Sequence, residues 1–180
     1  LHGSFGKTYK GHGTDRALVA GIMGMEPSDE RLRDSLEIAK EKRIKITFKD
    51  VDLGDYHPNT VKFLMKLKNG KECEVIGSSI GGGNIEINEI NGNEVKFTGA
   101  YSTIITSHKD IPGTVAKVTN ILYDSKVNIA FLTLGRSQKG KDATMTFEVD
   151  SKISEDLIEE IKKVDGIKKV ILINKIEDGE

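Results

Sequence analysis

The chain has 180 residues, with 27 Lys+Arg against 28 Asp+Glu, a formal net charge of −1 and one cysteine, Cys73. That length suits one large domain or two small ones. Near-neutral charge without a basic cluster or an aromatic stacking platform excludes nucleic acid as a partner. The longest apolar runs, such as 170–173, are too short for a membrane span. A single thiol excludes an internal disulfide and an iron–sulfur cluster held by this chain alone, and it fits a reducing, cytoplasmic setting.

The opening, Leu1-His2-Gly3-Ser4-Phe5-Gly6-Lys7-Thr8-Tyr9-Lys10-Gly11-His12-Gly13-Thr14-Asp15, packs glycines among Ser, Lys, Thr, His and Asp. It lacks Met and reads as the end of a strand, so a segment is expected upstream. Glycines permit close backbone approach, and an apolar stretch follows from Ala17 to Met23 as a helix, with Thr14 or Asp15 as its cap. Asp15, three residues beyond His12, is placed to orient or charge-stabilise that imidazole, and Lys7 to meet a carboxylate. The alternative is a Gly-rich turn with a helix cap.

Pro27-Ser28-Asp29-Glu30 starts a second helix with Ser28 as cap, and Leu32, Leu36 and Ile38-Ala39 give it one apolar stripe. Ile44, Ile46 and Phe48 alternate with polar residues, which predicts a strand over 44–49. Two hairpins follow. The first runs through 61–67, Asn69-Gly70 as a tight primed turn, and 71–76. The second runs through 84–90, Asn91-Gly92, and 93–97. Between them Ser78-Ser79-Ile80-Gly81-Gly82-Gly83 interrupts. Ser79, Gly81, Gly82 and Gly83 are either an anion-binding nest of N–H groups or a bulged edge without a ligand. No nucleotide fingerprint is present. A domain boundary is expected at 99–102.

Beyond it the order is strand (103–106), turn (Asp110-Ile111-Pro112-Gly113), helix (114–123), strand (127–134), polar turn, strand (144–149), a Ser154-capped helix ended by Gly166, and strand (167–173). This βαββαβ order is a ferredoxin-like plan. Its chemistry gathers at His108, Asp110, Gly113 and Asn128. Pro112-Gly113 turns the chain into a helix whose first N–H groups favour a carboxylate. Asp110 is placed to take an ammonium group, and His108 and Asn128 add polar side chains. A zwitterionic amino acid needs that mixture. The plainer alternative has Asp110 capping the helix and Asn128 satisfying a turn.

Residues 103–175, with the D-x-P-G turn and Val127-Asn128-Ile129 opening the second strand, resemble an ACT domain. His108, Asp110 and Asn128 occupy the places of the serine-binding His, Asn and Asn in the ACT domain of phosphoglycerate dehydrogenase, with Asp in the middle place. The His12-Gly13-Thr14-Asp15 string, Ala17 to Met25 and Gly77-Ser78-Ser79-Ile80-Gly81-Gly82-Gly83-Asn84 resemble the β subunit of iron–sulfur-dependent L-serine dehydratase.

The resemblance implies an N-terminal mixed α/β domain (1–99) like the allosteric substrate-binding domain of phosphoglycerate dehydrogenase. It implies an ACT regulatory domain over 103–180. An upstream segment with a Ser-Ser-Ser-His-Thr motif belongs to that family and is not in this sequence. The resemblance also implies conversion of L-serine to pyruvate and ammonia with an α subunit, whose cysteines hold a [4Fe–4S] cluster. Lys7, His12 and Asp15 would then border the active site. A small amino acid would bind the ACT domain, and the chain would pair with a second copy through it. The competing expectation is a non-catalytic serine-sensing region of a phosphoglycerate dehydrogenase-like enzyme.

Overall fold

The structure is a computed structural model and describes residues 1–136 and 138–175. The chain divides into two compact units, Leu1–Lys62 and Phe63–Glu180. The joint expected at 99–102 therefore lies inside the second unit, and residues 176–180 of the expected ACT domain lie outside the described residues.

In the first unit the Gly-rich opening is not a strand end but a short helix, α1 (Gly3–Thr8). It is followed by α2 (Thr14–Ile22). Neither Thr14 nor Asp15 caps α2; Gly13 does so by backbone conformation, at φ 70°. Ser28 is not a cap either. Asp29 takes that place, accepting from the Arg31 N–H, and the first turn is a 3₁₀ helix (Glu30–Asp34) before α3 (Ser35–Glu41). Small residues let α2 and α3 approach closely. Ala20 and Ala39 are buried, and the Ser35 hydroxyl donates to the Arg16 carbonyl at 2.8 Å.

No strand forms over 44–49. At its end Leu1 brackets the segment, its nitrogen donating to Lys49 and its carbonyl accepting from Val51, and one residue cannot build a ladder.

The second unit holds two four-stranded sheets. In the first, β1 (Thr60–Lys66), β2 (Glu72–Gly81), β3 (Asn84–Ile90) and β4 (Asn93–Phe97) lie in chain order, with β2–β3 and β3–β4 antiparallel. In the second hairpin Asn91 (φ 51°) and Gly92 (φ 76°) make a primed turn, which was expected instead at Asn69-Gly70. At Asn69-Gly70 only the glycine has positive φ, and Gly70 donates to the Leu67 carbonyl, so that turn is longer and not primed.

The second sheet contains β5 (Ser102–Lys109), β6 (Ile129–Arg136), β7 (Asp142–Val149) and β8 (Ile167–Ile173), in the order β6-β7-β5-β8. Helices α4 (Thr114–Asp124) and α5 (Glu155–Lys162) complete the ferredoxin-like plan. Ile104, Met145, Phe147 and Val149 face these helices and pack with Val118, Leu122, Leu157 and Ile161. Ile105 points to the other face and joins Ile90, Val95 and Phe97 of the first sheet. Buried Glu148 also accepts from Thr98, at 3.0 Å from its N–H and 2.9 Å from its hydroxyl. The link between the sheets is thus a tied segment.

Candidate functional site

The turn leaving β5 concentrates the chemistry of the second unit. Gly113 begins α4 at φ 91°, a conformation a side chain rarely adopts, and no side chain caps the helix. Asp110 is therefore not the cap. Its carboxylate accepts from the Gly140 N–H at 2.9 Å and pairs with Arg136 at 3.3 Å, while its own N–H donates to Lys141 at 2.7 Å. The Gly140 bond, and then Arg136, hold the Asp110 carboxyl below its ordinary range.

His108 lies on the helix-facing side of β5, 3% exposed, with Nδ1 3.5 Å from the Thr106 hydroxyl. Burial pushes its pKa down, against the opposing pull of Thr106 and Asp110.

Sheet register decides what comes together. His108 pairs with Ala143 across β5–β7, and Ala143 pairs with Arg136 across β6–β7. His108, Ala143 and Arg136 thus form one row at one end of the sheet, with Asp110 and Gly113 beside it. Asn128 is elsewhere. It precedes Ile129, which pairs with Val149, which in turn pairs with Ser102 at the opposite end. Six strand residues separate the two ends, about 20 Å at the usual rise. There the Asn128 amide donates to Asp150. One copy of the chain unites His108, Asp110 and Gly113 but not Asn128.

In the first unit, Lys7 borders an open cleft of about 440 Å³ with His2, Gly3, Asp50, Val51 and Asp52. Asp50 and Asp52 belong to no motif, and their only signal in the sequence is their closeness to each other. His2 Nδ1 accepts from the Leu53 N–H at 3.1 Å and stands 3.7 Å from Asp52.

Helix α1 sits on the loop at 57–59. The Phe5 N–H donates to Pro58, and the Ser4 hydroxyl bonds Asn59. A Cβ on Gly3 would stand 2.6 Å from the Pro58 carbonyl oxygen, and one on Gly6 would stand 2.6 Å from the Asp50 carboxyl carbon. Gly3 is what allows this seat on the loop, and Gly6 leaves room for the Asp50 carboxylate. His12 is exposed on the turn between α1 and α2, and Asp15 accepts from the Arg16 N–H. Among the described residues no hydrogen bond joins His12 to Asp15.

Ser79 and Gly81 belong to β2, and Gly82 (φ 62°) and Gly83 (φ 79°) turn the chain directly into β3. Gly82 and Gly83 of the candidate nest form a two-residue hairpin turn of the primed kind.

Residues 102–166 match the ACT domain family. Over 158 residues, 87% of this chain and 71% of the relative, the sequence is 46% identical to the L-serine dehydratase, beta chain, of Peptoniphilus asaccharolyticus. It is 40% identical over 178 residues, 99% of this chain and 79% of the relative, to the probable L-serine dehydratase, beta chain, of Bacillus subtilis (strain 168). The chain belongs to the L-serine dehydratase β-chain family. A D-3-phosphoglycerate dehydrogenase of Methanocaldococcus jannaschii is 31% identical over 76% of this β chain, but only 26% of that enzyme's length is matched.

An iron–sulfur cluster needs several thiolates, and this β chain offers only Cys73, half-buried on β2. Its residues do not fit that group. No helix among the described residues is long and apolar enough to cross a membrane.

Proposed function

We propose that this chain is one of two subunits of a cytoplasmic L-serine ammonia-lyase that converts L-serine to pyruvate and ammonia, and that it is inactive alone. The match to β chains along nearly its whole length carries this reading. It is favoured over a dehydrogenase tail because the β-chain relatives are matched over most of their own length and the dehydrogenase is not. With a single cysteine here, an α subunit would hold the [4Fe–4S] cluster. Residues 1–99 would meet that subunit, with Lys7, His12 and Asp15 bordering its active site. Lys7 has the best support, since it lines a charged cleft wide enough for a small amino acid.

Residues 103–180 would act as the amino-acid-sensing module, with L-serine or another small amino acid at His108, Asp110 and Gly113. The separation of Asn128 supports a shared site. Strand β6 is an edge, and Leu132 and Leu134 are exposed on it. A two-fold axis pairing β6 with its copy would cover those leucines. It would also set Asn128 of one chain beside Arg136 and Asp110 of the other, completing the set.

Gel filtration of this chain mixed with a family α chain tests the subunit assignment. Co-elution is expected, and separate elution would contradict it.

A further inference from the structure

The structure assigns Arg136 as the residue that takes the carboxylate of an amino-acid effector, with Asp110 taking its ammonium group. This rests on the sensing reading above and goes beyond it, since nothing in the turn motif after β5 points to a residue at the far end of β6.

Arg136 stands in register with Ala143 and His108, and residues paired across neighbouring strands share a face. Two strand spacings separate His108 from Arg136, about 10 Å. Ala143, buried like His108, is the small residue between them, and the exposed end of the row is Arg136. At this end of the sheet the Arg136 guanidinium pairs with the Asp110 carboxylate, beside the buried His108 imidazole. A short amino acid presents one anion and one cation a few ångströms apart. Arg136 and Asp110 offer the complementary pair 3.3 Å apart.

In the structure these charges satisfy each other, but the Arg136 side chain is 59% exposed. An ion pair so open to water is weak, so parting it costs little. An inserted zwitterion replaces it with two ion pairs, and the planar guanidinium can hold a carboxylate through two parallel N–H bonds. Asp110 keeps its Gly140 bond throughout, so the ammonium group meets a carboxylate already oriented.

Calorimetry on the full chain with L-serine and L-serinamide, which lacks the carboxylate, tests the assignment. Wild type is expected to prefer L-serine. Arg136→Gln is expected to weaken L-serine binding by about tenfold or more while barely changing L-serinamide, and Arg136→Lys to restore part of the preference. If Arg136 only steadied the loop, Arg136→Gln would weaken both ligands equally, which overturns the assignment. Unchanged L-serine affinity in Arg136→Gln also overturns it and leaves the sensing reading intact. No binding of L-serine by wild type overturns both.

Discussion

The Asp110 carboxylate accepts the Gly140 N–H at 2.9 Å and so fastens the turn after β5 to the loop between β6 and β7. Asp110→Ala removes both the acceptor and the charge; Asp110→Asn keeps an acceptor. We expect Asp110→Ala to speed exchange of the Gly140 amide and to weaken L-serine binding by about tenfold or more, as loss of a charged partner does. Asp110→Asn should protect the amide nearly as wild type does, yet bind L-serine weakly. Hydrogen exchange and calorimetry on the three proteins separate the roles, and an unaltered Gly140 amide in Asp110→Ala would contradict the tether.

The same bond sets a pH dependence. With its carboxyl held below the usual range, Asp110 stabilises the folded state above its unfolded pKa of 3.8. That contribution is lost as pH falls through the folded value. A carbon-13 titration of the Asp110 carboxyl should show a midpoint below 3.8 in wild type and a higher one in Arg136→Gln. Coincident midpoints would contradict the pairing.

His108 behaves in its own way. Burial lowers its pKa, so the folded chain favours the neutral ring, while the unfolded chain takes up a proton near pH 6.5. Stability is therefore full above that pH and declines below it until the folded ring is itself protonated. Urea midpoints should fall between about pH 7.5 and 5.5, and His108→Gln should flatten that fall. Equal slopes in both proteins would sink the claim.

How far these features could be read from sequence depends on what each pattern encodes. The βαββαβ order was legible because helix and strand periods alternate cleanly there and Ser154 does cap α5. Over 44–49 the alternation was real, but periodicity reports faces and not the presence of a neighbouring strand. Asn91-Gly92 and Asn69-Gly70 read alike, yet the flanking strands fix turn length and only the first is primed. His108 and Asp110 were found through local spacing. Arg136 was missed because register, not sequence distance, puts it 3.3 Å from Asp110. Register likewise carries Asn128 away.

Two glycines with opposite surroundings test the seat of α1. Gly3 has φ 58°, and its added Cβ would strike the Pro58 carbonyl; Gly21, inside α2, has open space around it. Gly3→Ala should destabilise the chain by about 1–3 kcal/mol through strain and clash. Gly21→Ala should stabilise it by about 0.5–1 kcal/mol through helix propensity. Denaturant midpoints read both, and a neutral Gly3→Ala would refute the close approach.

In the proposed function, serine deamination needs this chain and an α subunit together. Pyruvate release from L-serine, followed for the purified β chain, a cluster-loaded family α chain and their mixture, tests it directly. Release is expected from the mixture and none from the β chain alone. Pyruvate from the β chain by itself, or a mixture no more active than the α chain, would contradict it.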